Sequence, residues 1–297
     1  MISFRYHVVT IVAVFFALAL GLLAGSAFVQ PRLEEQLKSQ SQSQRRTIQE
    51  QGTELGHLRA FADSAVAWLM TDRLVGTPVV ILTQEGVPDG VVGEAQRALS
   101  EAGARVVATL SARAKLVSQD PSDVRELAQI AERPDAVAED LPPIVASALA
   151  LRLSDGPAQG GRDVLHDLLA AGFLTAIGSQ VSDATLKQIG GAGQAVVIVS
   201  GGPQSQPAVP PERFAVPLAE DLGTLGVPVV AGQATDSAYP FVEVLRADGG
   251  DALVTVDDLD LSVGGAAMVL GLQQLMTDGR GGAYGVADGA APLPTPS

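Results

Sequence analysis

Cysteine is absent from this 297-residue chain, which excludes disulfides and thiolate metal sites and leaves the redox compartment open. Histidine is scarce, with only His7, His57 and His166. A Ser-His-Asp set would have to rely on His166, in a helical stretch, and no G-x-S-x-G elbow occurs. Positive charge is also short: 19 Lys and Arg stand against 33 Asp and Glu, a formal charge of -14. The deficit is uneven. Up to Pro78 the chain has seven basic and six acidic residues; beyond it, 12 basic and 27 acidic. An acidic domain is repelled by phosphate backbones, so nucleic acid is excluded as a partner.

What is present begins with an apolar run. Val8 to Val29 carries no charged side chain. At ~1.5 Å per residue it spans roughly 33 Å, enough for a ~30 Å hydrocarbon core. Val8, Phe15, Leu20 and Val29 mark this segment, read as a membrane anchor over residues 1–30. A cleaved signal peptide is the alternative, with Arg5 as its basic end and Ala24 to Ala27 as small residues at a cleavage site. Its apolar core would run to only about 7–15 residues, shorter than this one. Arg32, Lys38, Arg45 and Arg46 follow the run and only Arg5 precedes it, so the positive-inside count leans towards a cytoplasmic C-terminal part.

Residues 31–75 read as a coiled-coil stalk. Ile48, Leu55, Ala62 and Leu69 recur at seven-residue steps, and Leu37, Leu58 and Ala65 fit the companion d position. Such a seam pairs with a second copy, so the expected partner is a homodimer mate. Polar Ser41, Gln44 and Gln51 interrupt it, and a single solvated helix is the competing reading. At Gly76-Thr77-Pro78 the helix must stop.

Residues 76–286 read as one α/β domain. Short apolar strands are expected at Val79–Leu82, Arg105–Leu110, Phe173–Ile177, Ala195–Ser200, Val227–Ala231 and Leu253–Val256, the last strand. Helices are expected from Asp89, as cap, to Gly103, at Pro121–Glu132, Pro142–Leu153, Asp163–Ala171 and Phe214–Leu225, and finally at Ser262–Met276. Phe241–Leu245 is ambiguous. Continuous apolar strands alternating with amphipathic helices indicate a mostly parallel sheet covered on both faces, a three-layer Rossmann-like architecture. The Pro-rich tail, 287–297, is expected to be disordered.

Chemistry is thinly marked. The first strand is followed by Thr83-Gln84-Glu85-Gly86, not by G-x-G-x-x-G, and no phosphate-binding G-x-x-x-x-G-K-[ST] loop occurs. Gly201-Gly202 leads into prolines and reads as a turn. Asp257, Asp258 and Asp260 could grip a hard cation at the sheet edge or form an acidic helix-capping turn. Met268 and Met276 lie eight apart on one helix, as a soft pair or as core packing. These residues point to no catalytic constellation and to no cofactor, hence to a protein that is not an enzyme.

Two stretches resemble a known family. Met1-Ile2-Ser3-Phe4-Arg5-Tyr6-His7, running into the apolar helix and Gly25-Ser26, is similar to the N-terminus of the actinobacterial MctB family of copper transporters. Thr255-Val256-Asp257-Asp258-Leu259-Asp260, Gly264, Val269-Leu270-Gly271-Leu272, Gly279 and Tyr284-Gly285 resemble its C-terminal signature. The resemblance implies copper export and homeostasis, a single-pass envelope protein, and a globular domain outside the cytoplasmic membrane. Copper itself is implied by the resemblance alone, without a ligand set. Members are also described as SteB, partner of SteA in envelope assembly and division, which implies a SteA-like partner for a non-catalytic coiled-coil scaffold.

Overall fold

The computed structural model describes residues 4–295 apart from 158–160, 179–180, 204–205, 240 and 248–251; the side chains of 4–6, 25–41, 43 and 59 lie outside the description. The chain divides into two compact units, residues 1–61 and 62–297. Helix α1 (Phe4–Met70) supplies the first and opens the second, with no break at residue 30. Its window His7–Ala24 has a mean hydropathy of 2.5 and is nowhere buried by protein. It is long and apolar enough to cross a membrane. Val8, Phe15 and Leu20 are exposed, while the Val29 side chain lies outside the described residues. Along the heptad seam Ile48, Leu55 and Leu58 are exposed, and Ala62, Ala65 and Leu69 are half-buried; the Leu37 side chain lies outside the described residues.

The second unit is built on a seven-stranded sheet of order β3-β2-β1-β4-β5-β6-β7. Its strands are β1 (Pro78–Gln84), β2 (Arg105–Ala112), β3 (Leu174–Ala176), β4 (Ala195–Val199), β5 (Val229–Gly232), β6 (Val254–Val256) and β7 (Gly282–Tyr284). All neighbours are parallel except β2 and β3. β4 is buried at every residue, because helices cover both faces, so Ala-Val-Val-Ile-Val shows no alternation. One face carries α3 (Pro121–Ile130), α4 (Leu141–Asp155), α5 (Val164–Ala170), the short α6 (Asp183–Leu186), α7 (Ala215–Thr224) and α8 (Val242–Ala247). The other carries the end of α1, α2 (Asp89–Glu101) and α9 (Ser262–Asp278), with Val66, Met70 and Leu74 sunk into its core.

The structure departs from the sequence expectations at four places. Asp89 does not cap α2; Pro88 holds the cap position with no side-chain hydrogen bond. The ambiguous stretch at 241–245 is helical, as α8. Leu253–Val256 is not the last strand, because β7 follows α9 and pairs with β6. The tail is not loose throughout. Gly285 N donates to Ala291 O at 2.9 Å, Ala291 N donates to Ala283 O at 2.9 Å, and Leu293 packs on the core. Backbone pairing to an edge strand overrides the local preference of a Pro-rich segment.

Candidate functional site

In doubly wound sheets ligands gather beyond the C-terminal ends of the strands, above all where the strand order reverses. That reversal lies between β1 and β4. Here Ser200 Oγ donates to Gln84 Oε1 at 2.9 Å, and Gln84 Nε2 donates to the Val209 carbonyl at 2.6 Å. Val209 is itself fully buried. A Cβ on Gly202 would lie 3.3 Å from the Gly86 carbonyl oxygen, so the two turns touch. The loop after β4 is thus tied to the end of β1 at this crevice. Glu85 is engaged as well: its Oε2 accepts from Ala114 N at 2.9 Å and lies 3.2 Å from Arg113 Nε.

The second concentration of chemistry is at the ends of β5 and β6. Asp257 is buried, and Arg246 from α8 donates to its Oδ2 at 2.6 Å. The same guanidinium reaches Thr255 Oγ1 at 2.9 Å and the Tyr284 carbonyl at 2.8 Å, clamping β6 to β7. Asp257 Oδ1 accepts from Val286 N at 2.7 Å and Ala287 N at 3.2 Å. Gly285 has φ of +127° and lies against this carboxylate, where a Cβ would collide with Oδ1. Asp260 Oδ1 accepts from Thr235 N at 2.7 Å and Thr235 Oγ1 at 2.9 Å. Gln233 Oε1 caps α8 by accepting from Phe241 N at 3.0 Å and Val242 N at 2.9 Å, a role that no spacing in the sequence announces.

Asp258 stands apart. It is 2% exposed, and its Oδ1 has no hydrogen-bond partner. Burial, then the neighbouring Asp257 and Asp260 carboxylates, push its pKa up to about 6. The three carboxylates therefore do three different things: Asp257 is an ion-pair hub, Asp260 holds the Thr235 turn, and Asp258 is a buried acid with one oxygen left without a partner. They do not converge on a common point, and no group of three His, Cys, Asp or Glu suited to a metal ion occurs among the described residues. The helix-capping reading is not met, since α9 starts from Leu261 with no side-chain cap hydrogen bond, and the three carboxylates do not converge as a cation site would need.

The raised pKa carries a stability prediction. The folded state binds the Asp258 proton more tightly than the unfolded chain, so its contribution is full below about pH 4 and is lost as pH rises through about 6. Asp258→Asn removes the ionisation and is expected to stabilise the fold by about 2 kcal/mol at pH 7.5. The gain should vanish near pH 4, as measured by urea unfolding at both pH values. An equal gain at both would refute the assignment.

Soft donors are dispersed. Met70 and Met268 are fully buried in the core beside α9, while Met276 is 40% exposed, so Met268 and Met276 do not form a pair. His166 Nδ1 faces Asp167 Oδ1 at 3.4 Å. His7 and His57 lie on α1 in the first unit.

The C-terminal signature thus folds into one knot, with Asp257 held by Arg246, Gly285 laid on Asp257, and Gly264 against Asp258. Comparison with known proteins agrees with it. A family model described as "Copper transport outer membrane protein, MctB" matches residues 1–295. The copper transporters MctB of Mycobacterium bovis and Mycobacterium tuberculosis are each 30% identical over 321 residues, covering 98% of this chain and 98% of theirs. That of Mycobacterium leprae is 29% identical over 331 residues, covering both chains fully. A match of this extent, with a membrane-length apolar helix at one end and the folded signature at the other, shows that the chain belongs to the MctB copper transporter family.

Proposed function

We propose that the chain is a single-pass membrane protein of copper homeostasis, with its α/β unit on the extracytoplasmic side. In this reading the unit is a non-catalytic docking body that supports copper export. The observation that carries the proposal is the near full-length likeness to relatives named copper transporters. One spanning helix encloses no pore, since a polar path through lipid needs several helices or a closed barrel. Copper is then cargo handled by an assembly to which this chain contributes position, and its dispersed His and Met side chains favour that role over chelation.

The test is a deletion strain complemented with the full chain. Deletion is expected to raise cell-associated copper, read by mass spectrometry, and complementation to restore it. Unchanged copper in the deletion strain would sink the proposal. A Cu(I) titration of the full-length protein in detergent micelles tests the docking role separately, and saturable binding tighter than micromolar would refute it.

A second reading is supported by the exposed seam residues Ile48, Leu55 and Leu58. Here the stalk pairs two copies in a parallel coiled coil, and the α/β units dock a SteA-like partner in envelope assembly or division. Impaired cell separation without a change in copper would select it over the first.

A further inference from the structure

The first turn of α9 is weakly secured. Its N-cap, Leu261, gives no side-chain hydrogen bond to the free N–H groups of a helix start. Gly264 and Gly265 follow, and glycine weakens a helix. From this turn Ser262 Oγ donates to Asp63 Oδ1 of α1, three residues before Val66 enters the core beside α9. Leu261 N donates to the Asp258 carbonyl at 2.9 Å and closes the bend that leads in from β6. The Asp258 side chain is buried here, with Oδ1 unpartnered and 2.6 Å from where a Gly264 Cβ would stand.

The charged groups around this turn are mostly acids. Asp257 and Asp260 flank Asp258 along the chain, and Arg246 of α8, which opposes them, is already paired with Asp257. Glu243 of the same helix lies 3.1 Å from Gln233 Nε2. From α1 comes Asp63, held by Ser262. From α2 comes Glu94, paired with Arg97, its Oε1 3.4 Å from the Gly265 Cβ position. Ionising Asp258 adds a further negative charge with no donor on Oδ1, a state that burial penalises. Water is close, since Asp260 and Leu261 of the same bend are exposed. Swinging the bend outward relieves the charge, and Ser262 moves with it.

We infer that Asp258 is a proton-operated latch: protonated, it lets the first turn of α9 seat and hold α1 through Ser262; ionised, it opens that turn and releases Asp63. The cost of ionisation then falls on one turn, not on the whole α/β unit. The working range is set around pH 6 by burial and the neighbouring carboxylates. The seated turn binds the proton more tightly than the open one, so the latch is shut below that range and loosens above it.

Hydrogen exchange of the full-length protein in lipid nanodiscs tests the latch, with rates corrected for the intrinsic effect of pH. Between pH 5 and pH 7.5 the opening of residues 258–265 and of 63–67 should rise about tenfold in step, as the carboxyl of the open turn returns to its ordinary range. Exchange in β1, β2 and β4 should not change. Asp258→Asn should abolish the rise in both segments, while Ser262→Ala should abolish it in α1 and keep it at α9. Exchange indifferent to pH overturns the latch, as does a rise that survives Asp258→Asn. A rise shared by the whole sheet is global unfolding and overturns it too. A rise at α9 with none in α1, or one in α1 that survives Ser262→Ala, overturns the release of Asp63 and with it the proposal.

Discussion

Arg246→Ala is expected to lower the stability of the α/β unit by about 4 kcal/mol, the cost of leaving a buried carboxylate without its cation. Asp257 is only 3% exposed, and Arg246 is its sole charged partner among the described residues. The same change strips a donor from the Tyr284 carbonyl and one from Thr255, so β7 loses its clamp as well. Urea unfolding of the full-length protein in micelles, followed by circular dichroism, measures the loss. A double replacement, Arg246→Ala with Asp257→Asn, should recover ~1–3 kcal/mol, because the residues are directly coupled. Asp257 would keep a polar acceptor for Val286 N in that background. A single-variant loss below about 1 kcal/mol would show that Asp257 relaxes into water, and the clamp would be discarded.

Gly264→Val should cost about 3–4 kcal/mol by the same measurement. A Cβ at this position would overlap the Asp258 carbonyl oxygen and crowd its Oδ1 at 2.6 Å. The obstacle is backbone in the turn between β6 and α9, not the far end of a flexible side chain, so it cannot give way cheaply. Gly93 provides the control. It lies in α2 with nothing within 4 Å of its Cβ position. Gly93→Ala should therefore gain ~0.5–1 kcal/mol through helix propensity. If both glycines tolerate substitution equally, close packing of α9 on the β6 turn is not what holds Gly264.

The contrast between these glycines marks how far the sequence could be read. The apolar runs at Val79–Leu82 and Ala195–Ser200 could be placed because burial on both faces leaves an unmistakable composition. β7 could not, since Gly-Ala-Tyr is three residues long and owes its strand form to pairing with β6. Asp257, Asp258 and Asp260 could be seen as a group, but their division of labour could not. It depends on Arg246, Thr235 and Gly264, which approach only after the sheet has formed. Arg152 is another such case. It looks like a surface residue of α4, yet it is buried, with Nε and Nη2 each 2.9 Å from the Asp163 carboxylate and Nη1 on the Ile189 carbonyl. Local pattern tells which residues leave water; it is silent on which distant groups meet them there.

The strand order also sets a timetable. β1 pairs with β4, Val79 lying opposite Ala195, so the middle of the sheet joins segments separated by on the order of a hundred residues. At ~5–20 residues per second of synthesis, the inner edge of β1 waits roughly 5–20 s for its neighbour to emerge. During that interval β1 and β2 form a two-stranded ribbon whose edges stay unpaired until β3 and β4 emerge. A nascent chain in that condition is a natural client for a holdase, and its yield should depend more on how fast it is delivered than on how stable it finally becomes.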